Sequence, residues 1–281
     1  MGRGIAYAAA YGGYKTILED ISEEMLEQAA AYIQQTLEEG VARGRVTPEQ
    51  RKTALANLAT SSSMEDACRE TDLLIEAVPE EMEVKLEIFT IFDRFARPGA
   101  ILASNTSSLS ITEIAAITFR PEHCIGMHFF NPVPKMKLLE IVRALETSEA
   151  TVRACAEVGR RMGKEVVVIR ESPGFITSRI NAMIGNEAFC MLQEGVASAE
   201  DIDKALKLGL NHPMGPFELV DLVGLDVRLN ILEYLYKTLG EKYRPSPLLS
   251  QYVNAKRLGR KSGRGVYDYG GDITKKEVPS D

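Results

Sequence analysis

Three short apolar runs, each associated with polar side chains, constrain this chain most. Residues 100–103 end at Ser104-Asn105-Thr106-Ser107-Ser108. Residues 124–127 end at His128 and are stopped by Asn131-Pro132, and residues 138–142 carry Glu140 inside them. Short apolar runs bounded by turn residues read as buried strands. In an open α/β sheet, ligands gather beyond the strand ends. A hydroxyl, an imidazole, an amide and a carboxylate are thus delivered to one crevice. A His held by a carboxylate is the simplest general acid/base. Taken singly, a His at a strand end is more often structural, and Phe129, Phe130 and the prolines read most simply as core and turn residues. Glu140 is harder to set aside, because a buried carboxylate needs a partner.

At 281 residues the chain is long enough for two domains with full cores. A formal net charge of −7 argues against a nucleic-acid partner. Cys68, Cys124, Cys155 and Cys190 form no CxxC pair, which fits reduced thiols in the cytoplasm and not a disulfide framework. His123, His128 and His212 offer no metal-ligand spacing, so no metal is expected. No apolar run is long enough to span a bilayer, so no membrane is expected either.

The front of the chain departs from a known pattern. Met1-Gly2-Arg3-Gly4-Ile5 runs straight into a small-residue helix over 6–11, and 14–20 reads as a strand ending in Asp20. A dinucleotide-binding βαβ unit has a strand, then GxGxxG, then a helix, then a strand ending in an acid. Here the helix, the second strand and the acid are present, whereas the first strand and first two glycines are not. Gly2 falls on the last Gly of the fingerprint, although Gly2 and Gly4 alone read equally as helix-packing glycines. A carboxylate at Asp20 accepts both ribose hydroxyls of NAD and repels the extra phosphate of NADP. The missing strand is the central one of the sheet, so its loss takes pairing partners from two neighbours. We expect the full product to carry about 15–20 further residues ahead of Met1.

Ser22 caps a long helix, and Thr47-Pro48-Glu49-Gln50 is a capping box opening the next, giving a helical hairpin inserted between strands. Residues 73–78 are apolar apart from Glu76, as in a strand buried on both faces. Lys85 opens the following helix and reads either as a surface lysine or as a charge meeting a cofactor oxygen. Residues 148–163 read as a helix and 165–169 as a last strand. At Ser172-Pro173-Gly174-Phe175 the strand patterns stop and helical periodicity runs to about residue 258. The expected domains are 1–170, α/β, and 171–281, all helical. Within the second, 176–193 is a central buried helix, Ser198 caps another, and 216–222 and 226–239 continue as helices. His212 reads as structural. Arg260, Lys261 and Arg264 in a glycine-rich close read as a phosphate site or a solvated tail, and 270–281 as frayed.

The run His128-Phe129-Phe130-Asn131-Pro132-Val133-Pro134, with Glu140 twelve residues beyond the His, resembles the signature of the 3-hydroxyacyl-CoA dehydrogenases. The likeness covers nearly the whole chain, and the bacterial 3-hydroxybutyryl branch is the nearer one. It implies a Rossmann-type NAD-binding domain with a helical-hairpin insertion, here lacking its first strand, followed by an all-α C-terminal domain. It implies oxidation of (3S)-3-hydroxyacyl-CoA to 3-oxoacyl-CoA, with NAD as cofactor and a homodimer formed through the helical domain. His128 and Glu140 would be the general-base pair, and Ser107 and Asn131 would bind the reacting oxygen. Gly2, Asp20, Glu80, Lys85, Asn105 and Ser107 would border NAD. Arg43 and Arg45 would meet the CoA phosphates, unless they are only solvated loop residues. The family has Asn where this chain has Ser178, a substrate contact, so a shorter donor stands there. Rival readings are a dehydrogenase of free hydroxy acids and a non-catalytic homologue. The expected extension is checked by the intact mass of the native protein, since a mass near 31.0 kDa would refute it.

Overall fold

The computed structural model of the protein describes residues 1–270, so the expected fraying falls, apart from Gly270, outside the described residues. They form two compact units divided between Ser172 and Pro173. The first contains α1 (Gly2–Tyr11), β1 (Thr16–Glu19), α2 (Glu23–Ala42), α3 (Pro48–Ala56), β2 (Leu58–Ser61), α4 (Met64–Glu70) and β3 (Leu73–Glu76). It continues with α5 (Met82–Phe95), β4 (Ile101–Ser104), α6 (Ile111–Ala115), β5 (Cys124–Phe129), β6 (Leu138–Arg143), α7 (Glu149–Arg161) and β7 (Glu165–Arg170). The caps fall where the sequence puts them. Ser22 Oγ accepts from Met25 N–H, and Thr47 and Gln50 close a capping box over Pro48.

The strands lie in two sheets. β1 pairs parallel with β2, and β3-β4-β5-β6-β7 form the other sheet. The break falls between β1 and β3. Helix α1 has a foot in the core beneath each piece. Ile5 and Ala8 pack with Ala103, Ile125, Met127 and Leu139. Ala6 packs with Ile33 and Leu37, beside Leu18 and Leu58. Small residues make this double contact possible, because a helix rich in Ala presents a thin surface on both sides.

Within the larger sheet, β3, β4 and β5 are parallel, β6 is antiparallel to β5, and β7 is parallel to β6. All six residues of β5 are buried, as a strand covered on both faces requires. Gly126 faces Val142 across the antiparallel pair, where an added Cβ would sit 2.7 Å from Val142 Cβ. The absence of a side chain at 126 therefore lets β5 and β6 pack at this register. Three elements, β2, α4 and α6, span only four, seven and five residues and carry too little periodicity to be read from sequence. At the end of β7, Glu171 accepts from Ser110 Oγ (2.6 Å) and Thr112 N–H (2.7 Å), which pins the last turn of the unit to α6.

The second unit is helical: α8 (Thr177–Glu194), α9 (Ala199–Gly209), α10 (Pro216–Val223), α11 (Leu225–Leu239) and α12 (Pro247–Asn254). Phe189, Phe217, Leu225, Leu232, Leu235 and Leu249 form its core. Asp203 caps α10 through Phe217 N–H (2.8 Å) and Glu218 N–H (3.0 Å). The glycine-rich close folds back onto α10, where Asp221 accepts from Val266 N–H and Tyr267 N–H, both at 2.9 Å. Gly259, at φ +97°, passes so near Asp221 that a Cβ would lie 2.3 Å from its carbonyl oxygen. The basic residues there are committed within the unit: Lys261 pairs with Asp226 at 2.6 Å and Arg260 lies over the Tyr269 ring. The close is thus folded onto α10, with Lys261 and Arg264 on its exposed side.

All four cysteines are free, and Cys68, Cys124 and Cys155 are buried. Burial pushes the Cys68 and Cys124 thiols up to about 11 and the Cys155 thiol up to about 12. Because the thiolate is the reactive form, a disulfide reagent at neutral to mildly alkaline pH should label half-buried Cys190 first. Fast labelling of all four thiols in the native protein would contradict this packing.

Candidate active site

Because β3, β4 and β5 run parallel, their C-terminal ends share one edge of the sheet. The loops leaving that edge carry Glu80, Asn105, Ser107 and Asn131. His128 is the penultimate residue of β5, and Glu140 is the third residue of β6. Since β6 runs the other way, the two are directly opposed in register. Opposed residues share a face of the sheet, and His128 Nδ1 lies 2.6 Å from Glu140 Oε2. His128 is 4% exposed and Glu140 1%. With the carboxylate as acceptor, Nδ1 donates this hydrogen bond and Nε2 is the ring's other nitrogen. The ring of Phe130 stands 4.5 Å from that of His128.

The loop after β4 is tied down from two sides. Asn105 Oδ1 accepts from Phe129 N–H at 2.9 Å, joining this loop to the residue beside His128. Glu80 Oε1 accepts from Thr106 Oγ1 (2.6 Å), Ser107 N–H (2.8 Å) and Ser108 N–H (3.1 Å). The backbone around Ser107 thus wraps one carboxylate oxygen. Lys85 is not a surface lysine. It is 1% exposed, with Nζ 3.0 Å and 3.1 Å from the two oxygens of Glu76 and 3.3 Å from Glu80 Oε2. Its charge is held by carboxylates inside the unit instead of standing out toward solvent.

Gly2 opens α1, and Gly4 lets that first turn rest on the loop after β5, since a Cβ on Gly4 would lie 2.9 Å from Val133 Cβ. Lys164 holds the same loop, donating to the carbonyls of Val133 (2.5 Å) and Met136 (2.8 Å), and burial lowers its pKa. The helix N-terminus and the segment carrying Asn131 are therefore neighbours. Asp20 follows β1, its carboxylate accepting from Ser22 N–H at 3.0 Å. Arg43 and Arg45 are exposed on the hairpin link, and Arg43 stands 3.9 Å from Glu39. Ser178 is half-buried at the start of α8, in the second unit.

Sequence reasoning missed Glu76, Ser104, Thr106 and Lys164 as parts of this edge. For Glu76 the signal was present, because it interrupts an apolar strand just as Glu140 does. Its partners, nine and 28 residues away, were not legible.

A dinucleotide-type α/β unit with an imidazole–carboxylate pair at its strand ends is that of a nicotinamide-dependent dehydrogenase. Comparison with known proteins narrows the class. Residues 1–172 match the family "3-hydroxyacyl-CoA dehydrogenase, NAD binding domain", and residues 174–269 match "3-hydroxyacyl-CoA dehydrogenase, C-terminal domain". The chain is 46% identical over 270 residues to the probable 3-hydroxybutyryl-CoA dehydrogenase of Bacillus subtilis, covering 96% of this chain and 94% of that one. It is 46% identical to the 3-hydroxybutyryl-CoA dehydrogenase of Bradyrhizobium diazoefficiens, covering 96% and 92%. The crystal structure of (S)-3-hydroxybutyryl-CoA dehydrogenase PaaH1 from Ralstonia eutropha superposes with a TM-score of 0.93 at 43% identity, over 96% of each chain. The chain belongs to the 3-hydroxyacyl-CoA dehydrogenase family and is an NAD-dependent oxidoreductase.

The residues present suit NAD. The first turn of α1 offers N–H groups without intrahelical partners, the usual seat for a pyrophosphate. An added Cβ on Gly2 would meet nothing nearer than 3.8 Å, so the turn is open there. Asp20 supplies the carboxylate at the end of β1.

Removing the carboxylate should show how much the pair contributes to the fold. Glu140→Ala leaves the buried Nδ1–H of His128 without this acceptor, a loss worth about 1–3 kcal/mol. A lowered thermal midpoint is expected, with Glu140→Gln falling between it and the parent. An unchanged midpoint for Glu140→Ala would mean the pair is not buried as described.

Proposed function

We propose that the protein reversibly oxidises (3S)-3-hydroxyacyl-CoA thioesters to 3-oxoacyl-CoA with NAD, acting on short acyl chains such as 3-hydroxybutyryl and acetoacetyl. The observation that carries this reading is the 2.6 Å contact between His128 and Glu140, buried at the strand edge of a chain that belongs to this family.

His128 Nε2 takes the proton of the substrate hydroxyl. Glu140 retains the Nδ1 hydrogen bond, fixes the tautomer and stabilises the imidazolium that forms. Ser107 and Asn131 hydrogen-bond the reacting oxygen without adding charge. Bound NAD supplies the hydride acceptor, which no side chain can provide. Gly2 seats the pyrophosphate on α1, and Asp20 accepts the ribose hydroxyls. Asn105, Glu80 and Ser107 border the nicotinamide half, with Lys85 serving through its hold on Glu80. Arg43 and Arg45 meet the CoA phosphates, and Ser178 contacts substrate from α8. The helical unit forms a homodimer, and the enzyme works in the cytoplasm.

The family likeness and the His–Glu pair both weigh against a non-catalytic homologue and against a free-acid dehydrogenase, a class that often uses Lys in place of that pair. NADH consumption separates the three readings. Turnover of acetoacetyl-CoA with none of free acetoacetate is the expected result. Turnover of the free acid alone, or none at all, would overturn the proposal. Replacing His128 with Gln should slow turnover by ~10²–10⁴, and an undiminished rate would remove His128 from the mechanism.

A further inference from the structure

We propose that Glu76 is a positioning residue of this active site, holding the turn that carries Ser107 through two converging arms. The inference rests on the function proposed above, in which Ser107 meets the reacting oxygen.

Glu76 is the last residue of β3, 3% exposed, and both its oxygens are engaged. One accepts from Lys85 Nζ at 3.0 Å and from Ser104 Oγ. The other accepts from Lys85 Nζ at 3.1 Å and from Val78 N–H at 3.1 Å. The first arm leaves through Lys85, whose ammonium also reaches Glu80 Oε2 at 3.3 Å. The opposite oxygen of Glu80 gathers Thr106 Oγ1, Ser107 N–H and Ser108 N–H. The second arm leaves through Ser104, whose Oγ accepts from Thr106 N–H at 3.2 Å. The two arms meet on residues 106–108, and Thr106 is touched by both.

The side chain of Glu80 is 40% exposed. Left alone it would turn toward water, and its four donors, Ser108 Oγ among them at 3.3 Å, would lose a fixed acceptor. Lys85 prevents that by holding the other oxygen, and Lys85 is itself held by Glu76. Burying such a pair is weak support for stability, because apolar side chains of similar volume often serve the fold as well. What apolar residues cannot do is fix the direction of a neighbouring carboxylate. Geometry is what a hydrogen-bonding group needs when it must meet a reacting oxygen within a fraction of an ångström.

Two variants test this in the full chain: Glu76→Gln, and the apolar double replacement Glu76→Leu with Lys85→Met, which guards against misfolding from an unpaired buried Lys. Hydrogen exchange of amides 106–109 is read without substrate. Rates with acetoacetyl-CoA are read with and without Ser107→Ala. The expected result is exchange at 106–109 faster by about tenfold, with β5 and β6 amides unchanged. In the same variants kcat should fall about tenfold with little change in KM, and fall no further on the Ser107→Ala background. Unchanged exchange at 106–109 would overturn the proposal. So would exchange quickened equally across β5 and β6 with a lower thermal midpoint, or a kcat loss that simply adds to that of Ser107→Ala. Should the parent itself fail to turn over the thioester, the functional reading falls, while the exchange result still decides whether Glu76 holds the turn.

Discussion

The single antiparallel pairing in an otherwise parallel sheet governs this protein's chemistry. β6 lies antiparallel to β5, so the chain returns alongside itself and Glu140 comes level with His128. Side chains alternate faces along a strand, and a slip of one residue would send the carboxylate to the other side of the sheet. The register is held by packing as much as by hydrogen bonds. Gly126 opposes Val142 with no room for a side chain between them, two residues from the His–Glu pair. Burial then makes the pair matter. At 4% and 1% exposure, neither group has bulk water as its partner, and the hydrogen bond between them helps to orient both.

The same rule organises the rest of the strand edge. A charged group inside a sheet must find its counterpart there. Glu76 finds Lys85, Lys85 finds Glu80, and Glu80 finds the backbone of the turn after β4. Asn105 then ties that turn to Phe129, so the segments carrying Ser107 and His128 are joined by a direct hydrogen bond. On the far side of the loop after β5, Lys164 and the first turn of α1 hold the segment that carries Asn131. Hydrogen-bonding groups aimed at a reacting oxygen act only if they are already in place, and the polar contacts from Glu80, Asn105 and Lys164 that hold this edge join residues distant in sequence.

The division of the strands into two sheets has a related logic. β1 and β2 pair with each other, while β3 begins a separate sheet. Helix α1 reaches the core on both sides of that division because, Ile5 apart, its buried residues are Gly4, Ala6, Ala8 and Ala10, small enough to pack in two directions. In the helical unit, buried Asp203 and Asp221 play the organising part. Each collects backbone N–H groups and a tyrosine hydroxyl, which fastens the glycine-rich close onto α10.

Much of this could be read from the sequence alone. Local patterns give local structure, so the helix caps at Ser22, Thr47 and Ser198, the apolar strands and the change to helical periodicity near residue 172 were legible. The family was legible because the run from His128 to Pro134, with Glu140 twelve residues beyond the His, resembles its signature. The tertiary structure alone decided the partners of buried charges. It placed Lys85 in the interior, gave Glu76 its neighbours and folded the glycine-rich close onto α10. A sequence can show that a carboxylate sits where water cannot follow. Which distant side chain answers it depends on how strands and helices from separate stretches of chain come to lie side by side.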